Sequence, residues 1–410
     1  MSLSNNFPTD FPSLNIDFAN TGALDPRITF TRATTATFFN SSGVLSTAAS
    51  GVARFDYNPT TLAAQGLLIE EQRTNLLTYS EQFDNAVWTK TRSSITADAT
   101  TSPDGTQDAD KLVEDTATNT HDMTFSASFT SGTAYTLSIY AKQAGRNLRI
   151  YFPTGAFGFA FSAVFDLSAG TATIALTGTV ASITNVGNGW YRCSITQTAT
   201  ASATSNFTLR LIEGASTTSY TGDGTSGIFI WGAQLEAGAF ATSYIPTTTT
   251  ALTRNADVAS MTGTNFSSWY NAVEGTLYVE ANTPDFAVAY VFADINSNSL
   301  TNYIRQSTSS LGTISQFVVS DSGTAVASPG VAVTLGSVRK AAGAYILNSI
   351  QQSVNGSLGT QDTSATIPAG LTQLNIGSRS TGANSVNGTI RRIAYYPTRL
   401  ANEQLQALTG

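Results

Sequence analysis

Short runs in which apolar and polar side chains alternate recur along most of the chain. In residues 134–142 (AYTLSIYAK), Tyr135, Leu137 and Ile139 fall on one side, and mostly hydroxyl-bearing residues fall between them. Because successive side chains of a strand point to opposite faces, this period of two predicts a strand with one buried face. Similar runs predict further strands at 147–152, 159–167, 171–175, 189–196, 207–213 and 227–235.

The last third of the chain continues the pattern. Asn355-Gly356 predicts a hairpin turn, because both central positions of a type I′ turn need a positive φ. A helix is indicated at the very end, where Ala401, Leu405 and Leu408 are spaced to form one apolar stripe, and residues 80–85 suggest a single helical turn. Strands are predicted at 275–281, 287–294, 302–306, 313–319, 337–346, 350–354, 374–376 and 388–396.

These elements predict an all-β fold with two antiparallel, jelly-roll-like β-sandwich domains. Residues 1–74 are expected to form an N-terminal arm and β-hairpin that anchor the chain. Residues 75–246 are expected to form the first sandwich and residues 256–410 the second. The Thr-rich segment 247–255 is the best linker between them, because its composition differs from that of the strands on either side.

Composition and charge narrow the classes of function. Charged residues make up 11% of the 410 residues, and the net charge is −7. Nucleic-acid binding depends on basic surface, so no nucleic acid is expected as a partner. The sequence has no apolar stretch of membrane-spanning length and no secretion signal, so no membrane association is predicted.

Single copies of cysteine and histidine limit the covalent and metal chemistry. With Cys193 alone no intramolecular disulfide can form, and its place in an alternating run predicts a buried apolar role. His121 is expected to be a solvated loop residue. One cysteine and one histidine almost exclude a structural zinc site.

Three stretches resemble modules of bacteriophage head-spike, head-fibre and tail-fibre proteins. They are residues 24–45 (LDPRITFTRATTATFFNSSGVL), 66–91 (GLLIEEQRTNLLTYSEQFDNAVWTKT) and 227–247 (GIFIWGAQLEAGAFATSYIPT). The first sandwich is similar to carbohydrate-binding modules of the β-sandwich type. The second resembles a laminin-G or concanavalin A-like jelly roll, through residues 259–281, 374–378 and 387–408.

The resemblance implies a surface appendage of the virion, assembled in the host cytoplasm and docked to other virion proteins through the N-terminal region. It further implies a non-enzymatic adhesin for host-surface glycans, and a homo-oligomer, with a trimer favoured. Two alternatives stay open: a purely structural capsid decoration or collar protein, and a tail-spike depolymerase that cleaves glycans. Fold resemblance alone does not decide between them.

Aromatic rings are the first candidates for a sugar site, because the C–H face of a sugar stacks on a ring. Trp269 and Tyr270 follow a Ser-rich turn and are expected to be the most exposed pair. Phe157 and Phe159 belong to a run of phenylalanines on one strand face, which indicates either a buried sheet face or an exposed aromatic ladder. The remaining tryptophans are expected in the sandwich cores: Trp88, Trp190 and Trp231.

Metal and catalytic signals are weak. Asp223 in the loop TGDGTSG (221–227) is a weak candidate ligand for a structural Ca²⁺, although a tight turn explains it better, and no other cofactor is expected. A glycosidase needs two opposed carboxylates. Glu274 and Glu280 lie near one strand, but the jelly-roll glucanases carry acids where this chain has Thr276 and Val279. No enzymatic activity is therefore expected.

Arginines are the bases of the first 75 residues. In a region with few ions, each is expected to bind a carboxylate or carbonyl at a domain or subunit contact. These arginines are Arg27, Arg32, Arg54 and Arg73, with Glu70, Glu71 and Asp56 as the expected partners.

Overall fold

Antiparallel β-sheet makes up most of the computed structural model, which describes residues 10–174, 178–282 and 289–410. The predicted all-β class is confirmed. The start of the predicted arm, residues 1–9, lies outside the described residues. In the described ranges, no helix is both long and apolar enough to cross a membrane. The helices there are α1 (Phe18–Thr21), α2 (Thr154–Phe157), α3 (Thr264–Ser267) and α4 (Asn402–Thr409).

The strands fall into three groups along the chain. Residues 14–75 contain β1 (Leu14–Asp17), β2 (Thr29–Thr31), β3 (Ala36–Phe39), β4 (Leu45–Ala48), β5 (Arg54–Tyr57), β6 (Ala64–Ile69) and β7 (Arg73–Asn75). Residues 89–237 contain β8 (Thr89–Thr91), β9 (Ser93–Thr100), β10 (Ala109–Glu114), β11 (Thr118–Asn119), β12 (Asp122–Phe129), β13 (Ala134–Ala144), β14 (Asn147–Tyr151), β15 (Ser162–Asp166), β16 (Thr171–Ile174), β17 (Val180–Asn185), β18 (Trp190–Thr198), β19 (Ala203–Ile212), β20 (Tyr220–Thr221) and β21 (Gly227–Ala237).

The third group begins in the predicted linker. Residues 252–396 contain β22 (Leu252–Arg254), β23 (Val258–Thr262), β24 (Gly275–Asn282), β25 (Val291–Asn296), β26 (Tyr303–Thr308), β27 (Ile314–Asp321), β28 (Thr324–Ala327), β29 (Gly330–Ala332), β30 (Val338–Ile346), β31 (Ser349–Val354), β32 (Ser357–Leu358), β33 (Gln373–Ile376) and β34 (Gly388–Tyr396).

One sandwich is built from both ends of the chain, and we call it the split sandwich. Its sheet 1 has the order β32-β31-β30-β24-β34-β6-β5, with β1 also paired to β34. Its sheet 2 has the order β2-β23-β33-β25-β26-β27-β28, with β29 also paired to β27. β1, β2, β5 and β6 therefore lie in the same two sheets as the strands of residues 258–396, whereas β3 and β4 pair with each other in a separate two-stranded sheet.

This arrangement corrects the prediction of a separate N-terminal region in residues 1–74, although the predicted hairpin is present as β3 and β4. Leu14, Ile16, Leu67 and Ile69 are buried in one core cluster together with the apolar side chains of the C-terminal strands. Strands this short expose one apolar face, and a hairpin alone cannot cover it. They gain burial by pairing with β34 and β23.

The other sandwich, formed by residues 89–237, is inserted between β7 and β22, and we call it the inserted sandwich. Its sheet 3 has the order β17-β18-β13-β21-β10-β9, and its sheet 4 has the order β16-β15-β14-β19-β12-β8. The apolar sides of the two sheets enclose one core, which contains Leu137, Ile139, Leu148 and Ile150. As the alternating pattern predicts, the opposite sides of these strands face outward.

The chain enters and leaves the inserted sandwich through paired strands. β7 and β22 are antiparallel, with Arg73 opposite Arg254 and Asn75 opposite Leu252. The predicted linker 247–255 is thus partly a strand, because its backbone groups are satisfied by pairing with β7.

A buried ion cluster joins the two sandwiches beside this strand pair. Arg54 contacts Asp257 at 2.5 Å and Glu70 at 2.8 Å, and Arg32 contacts Asp257 at 2.9 Å. Glu70 also accepts bonds from the backbone N–H and the hydroxyl of Ser243, which follows the last strand of the inserted sandwich. The charged groups all lie in or beside strands of the split sandwich and balance one another, and Ser243 connects them to the end of the inserted sandwich.

The expected arginine partners are largely confirmed. Arg54 binds Glu70, and Arg73 contacts Glu71 at 2.5 Å. Arg27 binds Asp25, and Arg32 also donates to the carbonyls of Thr34, Ala49 and Val52. Asp56 was expected to bind an arginine, but its carboxylate instead accepts the backbone N–H of Phe39 at 2.8 Å.

Local predictions have mixed outcomes. The terminal helix is confirmed as α4, and Asn355 and Gly356 both have positive φ, at 45° and 77°. Residues 80–85 form turns, with no helical segment. The strand predicted at 159–167 begins only at Ser162, because the chain first forms α2 and the Gly158 turn.

Candidate functional site

Two of the four outer sheet faces are covered by other parts of the chain. On sheet 1, Leu405 of α4 packs with Tyr278 and Tyr396. On sheet 3, Tyr140 and Trp231 are buried with side chains that include Leu45, Trp190 and Tyr244. A covered face leaves no room for a large ligand, so these two faces are poor candidates for a site.

The outer face of sheet 2 is polar but closed. Asp294 and Asn296 are 0% exposed. Arg305 donates two bonds to Asp294, at 3.0 and 3.1 Å, and its guanidinium carbon lies 3.7 Å from the centre of the Tyr303 ring. These charges are satisfied internally.

The outer face of sheet 4 is open, and we call it the polar face. Its side chains point away from the core of the inserted sandwich and are exposed or half-buried. They are Thr89, Thr124, Ser126, Ser128, Arg149, Tyr151, Thr204, Asn206, Thr208 and Arg210.

Strand pairing brings the charged members of the polar face together. In β14, Leu148 and Ile150 enter the core, so Arg149 and Tyr151 point outward. In β19, Arg210 points outward for the same reason. β14 and β19 are neighbours in a register that sets Arg149 opposite Arg210.

Arg210 is held in place by a carboxylate on the next strand. Its Nε and Nη2 donate to the two carboxylate oxygens of Asp122 at 2.6 and 2.9 Å, and its Nη1 donates to the Tyr151 hydroxyl at 3.2 Å. Partial burial lowers the pKa of Arg210, but the bonds to Asp122 outweigh this effect, and the pKa is raised. The charge of Arg210 is thus locally balanced.

Arg149 is held differently. Its Nε and Nη2 both donate to one hydroxyl, Ser162 Oγ, at 3.3 and 3.0 Å. Both guanidinium groups lie against Tyr151, with the central carbons of Arg149 and Arg210 at 4.4 and 4.8 Å from the ring centre. The aromatic ring and the two cations form one rigid group.

The chemistry of the polar face favours binding. It offers guanidinium donors, an aromatic side chain and a row of hydroxyls, which together suit a ligand with many hydroxyl groups. Sequence reasoning missed Arg149, Tyr151 and Arg210. The alternation of predicted strands 147–152 and 207–213 does place these side chains on the polar sides, but only the pairing of β14 with β19 shows that they meet.

The aromatic residues proposed from the sequence lie elsewhere. Trp269 was expected to be exposed, but it is 4% exposed and its Nε1 donates to the carbonyl of Asn265, because α3 folds it into the core. Tyr270 is partly buried and stacks on Phe266 with ring centres 4.8 Å apart. Phe157 is 0% exposed, whereas Phe159 is 67% exposed. Ligand contact by Phe159 or Tyr270 stays a prediction.

The other predictions of burial or exposure, for the remaining tryptophans, the cysteine and the histidine, have mixed outcomes. Trp88 lies in the core of the inserted sandwich and Cys193 is buried, both as predicted. Trp190 and Trp231 are also buried, but they lie on the outer side of sheet 3 and not in the sandwich core. The prediction for His121 is wrong: it is 0% exposed, and its Nδ1 lies 2.7 Å from the carbonyl oxygen of Arg92.

The loop around Asp223 is a tight turn. One carboxylate oxygen accepts bonds from the backbone N–H groups of Thr225 and Ser226, and the other accepts the Ser226 hydroxyl. Bonds from Ser226 and then Thr225 hold the pKa of Asp223 below its usual range. These bonds account for the tight turn that the sequence favours, and a role of Asp223 as a Ca²⁺ ligand stays a prediction.

The carboxylates considered for catalysis have other partners. Glu274 accepts the backbone N–H of Arg399 at 2.9 Å, and Glu280 binds Arg391 at 2.9 Å. Within the described ranges, no group of three or more His, Cys, Asp or Glu side chains is arranged to hold a metal.

An acidic cleft lies at one end of the inserted sandwich. It has a volume of about 440 Å³ and is lined mainly by acids: Glu81, Asp84, Asp98, Asp108 and Asp110. Burial raises the pKa of Glu81 to about 7 and that of Asp110 to about 6.

No family model matches the chain, and no curated protein matches its sequence. Parts of the chain are similar to solved structures. One is the carbohydrate-binding module CBM40 of the Ruminococcus gnavus IT-sialidase, with a TM-score of 0.31, 13% identity and coverage of 36% of this chain and 88% of that one. The same module has been solved bound to α2,6-sialyllactose.

Two further structures match at a similar level. Domain 4 of the arabinanase AbnA from Geobacillus stearothermophilus, in complex with arabinotriose, has a TM-score of 0.32, 8% identity and coverage of 42% and 82%. A botulinum neurotoxin type C structure, from work on its interaction with two ganglioside molecules, has a TM-score of 0.30, 9% identity and coverage of 38% and 40%. Similarity this low carries no argument about the function of this chain.

Proposed function

We propose that this chain is a non-enzymatic glycan-binding protein that uses the polar face of the inserted sandwich. One observation carries the proposal: sheet 4 presents an open, hydroxyl-rich surface with Tyr151 and two guanidinium groups at its centre. Sugars expose many hydroxyls, which pair with such donors and acceptors, and their C–H faces pack on aromatic rings.

The modest area of one polar face suits weak binding at each site. Weak sites become effective when many copies act together, so display on a particle would raise the avidity. The resemblance of residues 24–45, 66–91 and 227–247 to phage spike and fibre modules supports display on a virion. In this proposal the split sandwich and the buried ion cluster hold the polar face in a fixed orientation.

A glycan array probed with the purified chain tests the binding proposal. Sialyllactose and arabinotriose, the ligands named above for two solved structures, are included among its probes. Binding to at least one class of glycan is expected, and Tyr151→Ala should weaken it about ten-fold or more, because an aromatic anchor is lost.

Tyr303→Ala is the matched control. Tyr303 also lies under an arginine on an outer sheet face, but in the split sandwich. Its loss should leave binding unchanged. No bound glycan on the array, or equal binding by the Tyr151→Ala variant, would overturn the proposal.

Display on a virion needs a separate experiment. The expected result is that the chain sediments with intact particles of the phage that encodes it and is detected on their surface by a labelled antibody. Particles that lack the chain but adsorb normally and lose stability would instead support a structural decoration protein. The ion cluster that locks the two sandwiches together is the observation that favours this alternative.

A further inference from the structure

Arg149 is a cation without a carboxylate partner in the part of the chain that the structure describes. Its bonds to protein atoms go to Ser162 Oγ, and no Asp or Glu oxygen lies within 4.0 Å of its nitrogen atoms. Its Nη1 has no protein acceptor among the described residues. Outside the described ranges, Asp285 is the single acidic residue.

Two other arginines of the inserted sandwich are paired with carboxylates: Arg210 with Asp122, and Arg146 with Glu114 at 2.7 and 2.6 Å. Arg192 bonds a hydroxyl, as Arg149 does, but it lies on sheet 3. The polar face therefore carries two guanidinium groups, Arg149 and Arg210, against the one carboxylate of Asp122.

The excess positive charge of the polar face belongs to Arg149. Arg149 lies directly opposite Arg210 across the β14–β19 pair. Asp122 already balances the charge of Arg210, so no carboxylate is left for Arg149. An anion bound beside Arg149 would balance its charge.

We propose that the polar face binds a glycan that carries an oxyanion, and that Arg149 pairs with this group. The inference rests on the proposed glycan-binding function and names its ligand class. The free Nη1 and the partly used Nη2 of Arg149 form a planar pair of donors, which matches the two oxygens of a carboxylate. Hydroxyls of Thr124 and Thr208, in the row beside Tyr151, are then placed to bond the sugar itself.

Long-range attraction does not account for such a preference. The net charge of −7 repels anions at a distance. Selectivity for an acidic sugar must therefore come from a local pairing, and a local pairing is sensitive to a single substitution.

Calorimetric titration of the full chain with matched ligands tests the proposal. The probes are an oligogalacturonate and its methyl ester, which has the same sugar ring without the charge, and a sulfated galactose oligosaccharide as a second source of oxyanion. The acid should bind about ten-fold or more tightly than the ester, since a charge-assisted hydrogen bond is replaced by a neutral one. The sulfated arm shows which oxyanion is preferred, and preference for either one over the ester supports the inference.

Variants of Arg149 locate the effect. Arg149→Gln should reduce the acid-to-ester ratio to about one, and Arg149→Lys should restore part of it, because lysine keeps the charge but loses the planar pair of donors. The matched control is Arg192→Gln. Arg192 also lies over a tyrosine, Tyr140, and donates to a serine, Ser138, but its tyrosine is buried on sheet 3.

The possible failures are distinguishable. If neither the acid nor the sulfated oligosaccharide binds more tightly than the ester, while Tyr151→Ala still weakens binding, the inference is overturned and the glycan-binding proposal stands. If Arg192→Gln lowers the ratio as much as Arg149→Gln, the preference reflects total charge and the inference fails. If no probe and no array glycan binds, both proposals fail together.

Discussion

The outer faces of sheet 2 and sheet 4 carry the same kinds of residue in different surroundings. Each has an arginine that donates two bonds to an aspartate and lies against a tyrosine: Arg305, Asp294 and Tyr303 on sheet 2, and Arg210, Asp122 and Tyr151 on sheet 4. The side chains of Arg305 and Asp294 are 4% and 0% exposed, whereas those of Arg210 and Asp122 are 22% and 12% exposed.

This difference in exposure separates a structural cluster from a candidate site. On sheet 2, burial raises the pKa of Asp294, and the charges are enclosed by protein. On sheet 4 the same groups meet solvent and sit beside Arg149, whose charge no described carboxylate balances. Residue type alone therefore does not distinguish the two faces. Access to solvent and a donor without an acceptor make the outer face of sheet 4 the candidate.

The largest difference in stability is expected between variants that remove the carboxylate from the arginine–aspartate pair of each face. Asp294→Asn should lower the free energy of unfolding by about 3–5 kcal/mol, because it leaves Arg305 buried without an anion. Asp122→Asn should cost only about 1 kcal/mol or less, because Arg210 is partly exposed and solvent screens its charge. Urea unfolding of both variants measures the difference, and equal costs would contradict the contrast between the two faces.

Phe157 and Phe159 are two positions apart but differ in exposure, so substituting each one compares a buried with an exposed ring. Phe157→Ala should lower the free energy of unfolding by about 3–5 kcal/mol, because the ring packs on Phe152 and Phe129 with centres 4.5 and 5.0 Å apart. Phe159→Ala should change stability by less than about 0.5 kcal/mol. A loss of glycan binding in Phe159→Ala, with stability intact, would move the candidate site toward this loop.

The acidic cleft contrasts with the basic polar face and should respond to pH. Burial raises the pKa of Glu81 to about 7, above its unfolded value, so folding keeps a proton that the unfolded chain releases. Stability from this group is present below about pH 4.5 and is lost as the pH rises through 7. The melting temperature of Glu81→Gln should therefore change less between pH 5 and 7.5 than that of the parent protein. Parallel plots of melting temperature against pH would show that Glu81 does not titrate in this range.

The smallest effect on binding is expected from removing the Ser162 hydroxyl, which accepts two bonds from Arg149. Ser162→Ala removes the hydroxyl that fixes the guanidinium of Arg149 and should weaken binding of an acidic glycan a few-fold. Asn375 provides the control, because its Oδ1 accepts bonds from the side-chain amides of Asn296 and Gln373 on the closed outer face of sheet 2. Its substitution by Ala should lower stability and leave binding unchanged. Unaltered binding in Ser162→Ala would show that Arg149 needs no such support.

Much of the secondary structure could be predicted because it depends on local alternation. The strands around Tyr135 and Leu209, the turn at Asn355 and the helix ending near Leu408 are all confirmed. Side-chain direction repeats every two residues in a strand, so a short stretch of sequence is enough to predict one. The burial of Trp190 and Trp231 does not follow from this pattern, because both lie on the outer side of sheet 3 and are covered by the β3–β4 hairpin.

The split of one sandwich between the two ends of the chain could not be predicted in this way. Which strand pairs with β1 or β6 is decided by contacts between residues more than 300 positions apart, such as Leu14 opposite Tyr395. The same holds for the polar face, where Arg149 and Arg210 are 61 positions apart in the sequence but directly opposite in the sheet. His121 and Trp269 were misjudged because burial of a loop residue depends on what packs over it.

The sequence by itself determined that the chain folds into strands with one apolar side, because each residue's direction depends on its immediate neighbours. Tertiary structure alone decided which outward sides stay open, because closure of a face depends on distant segments such as α4 and β3–β4. A polar face becomes a site only when nothing else in the chain covers it.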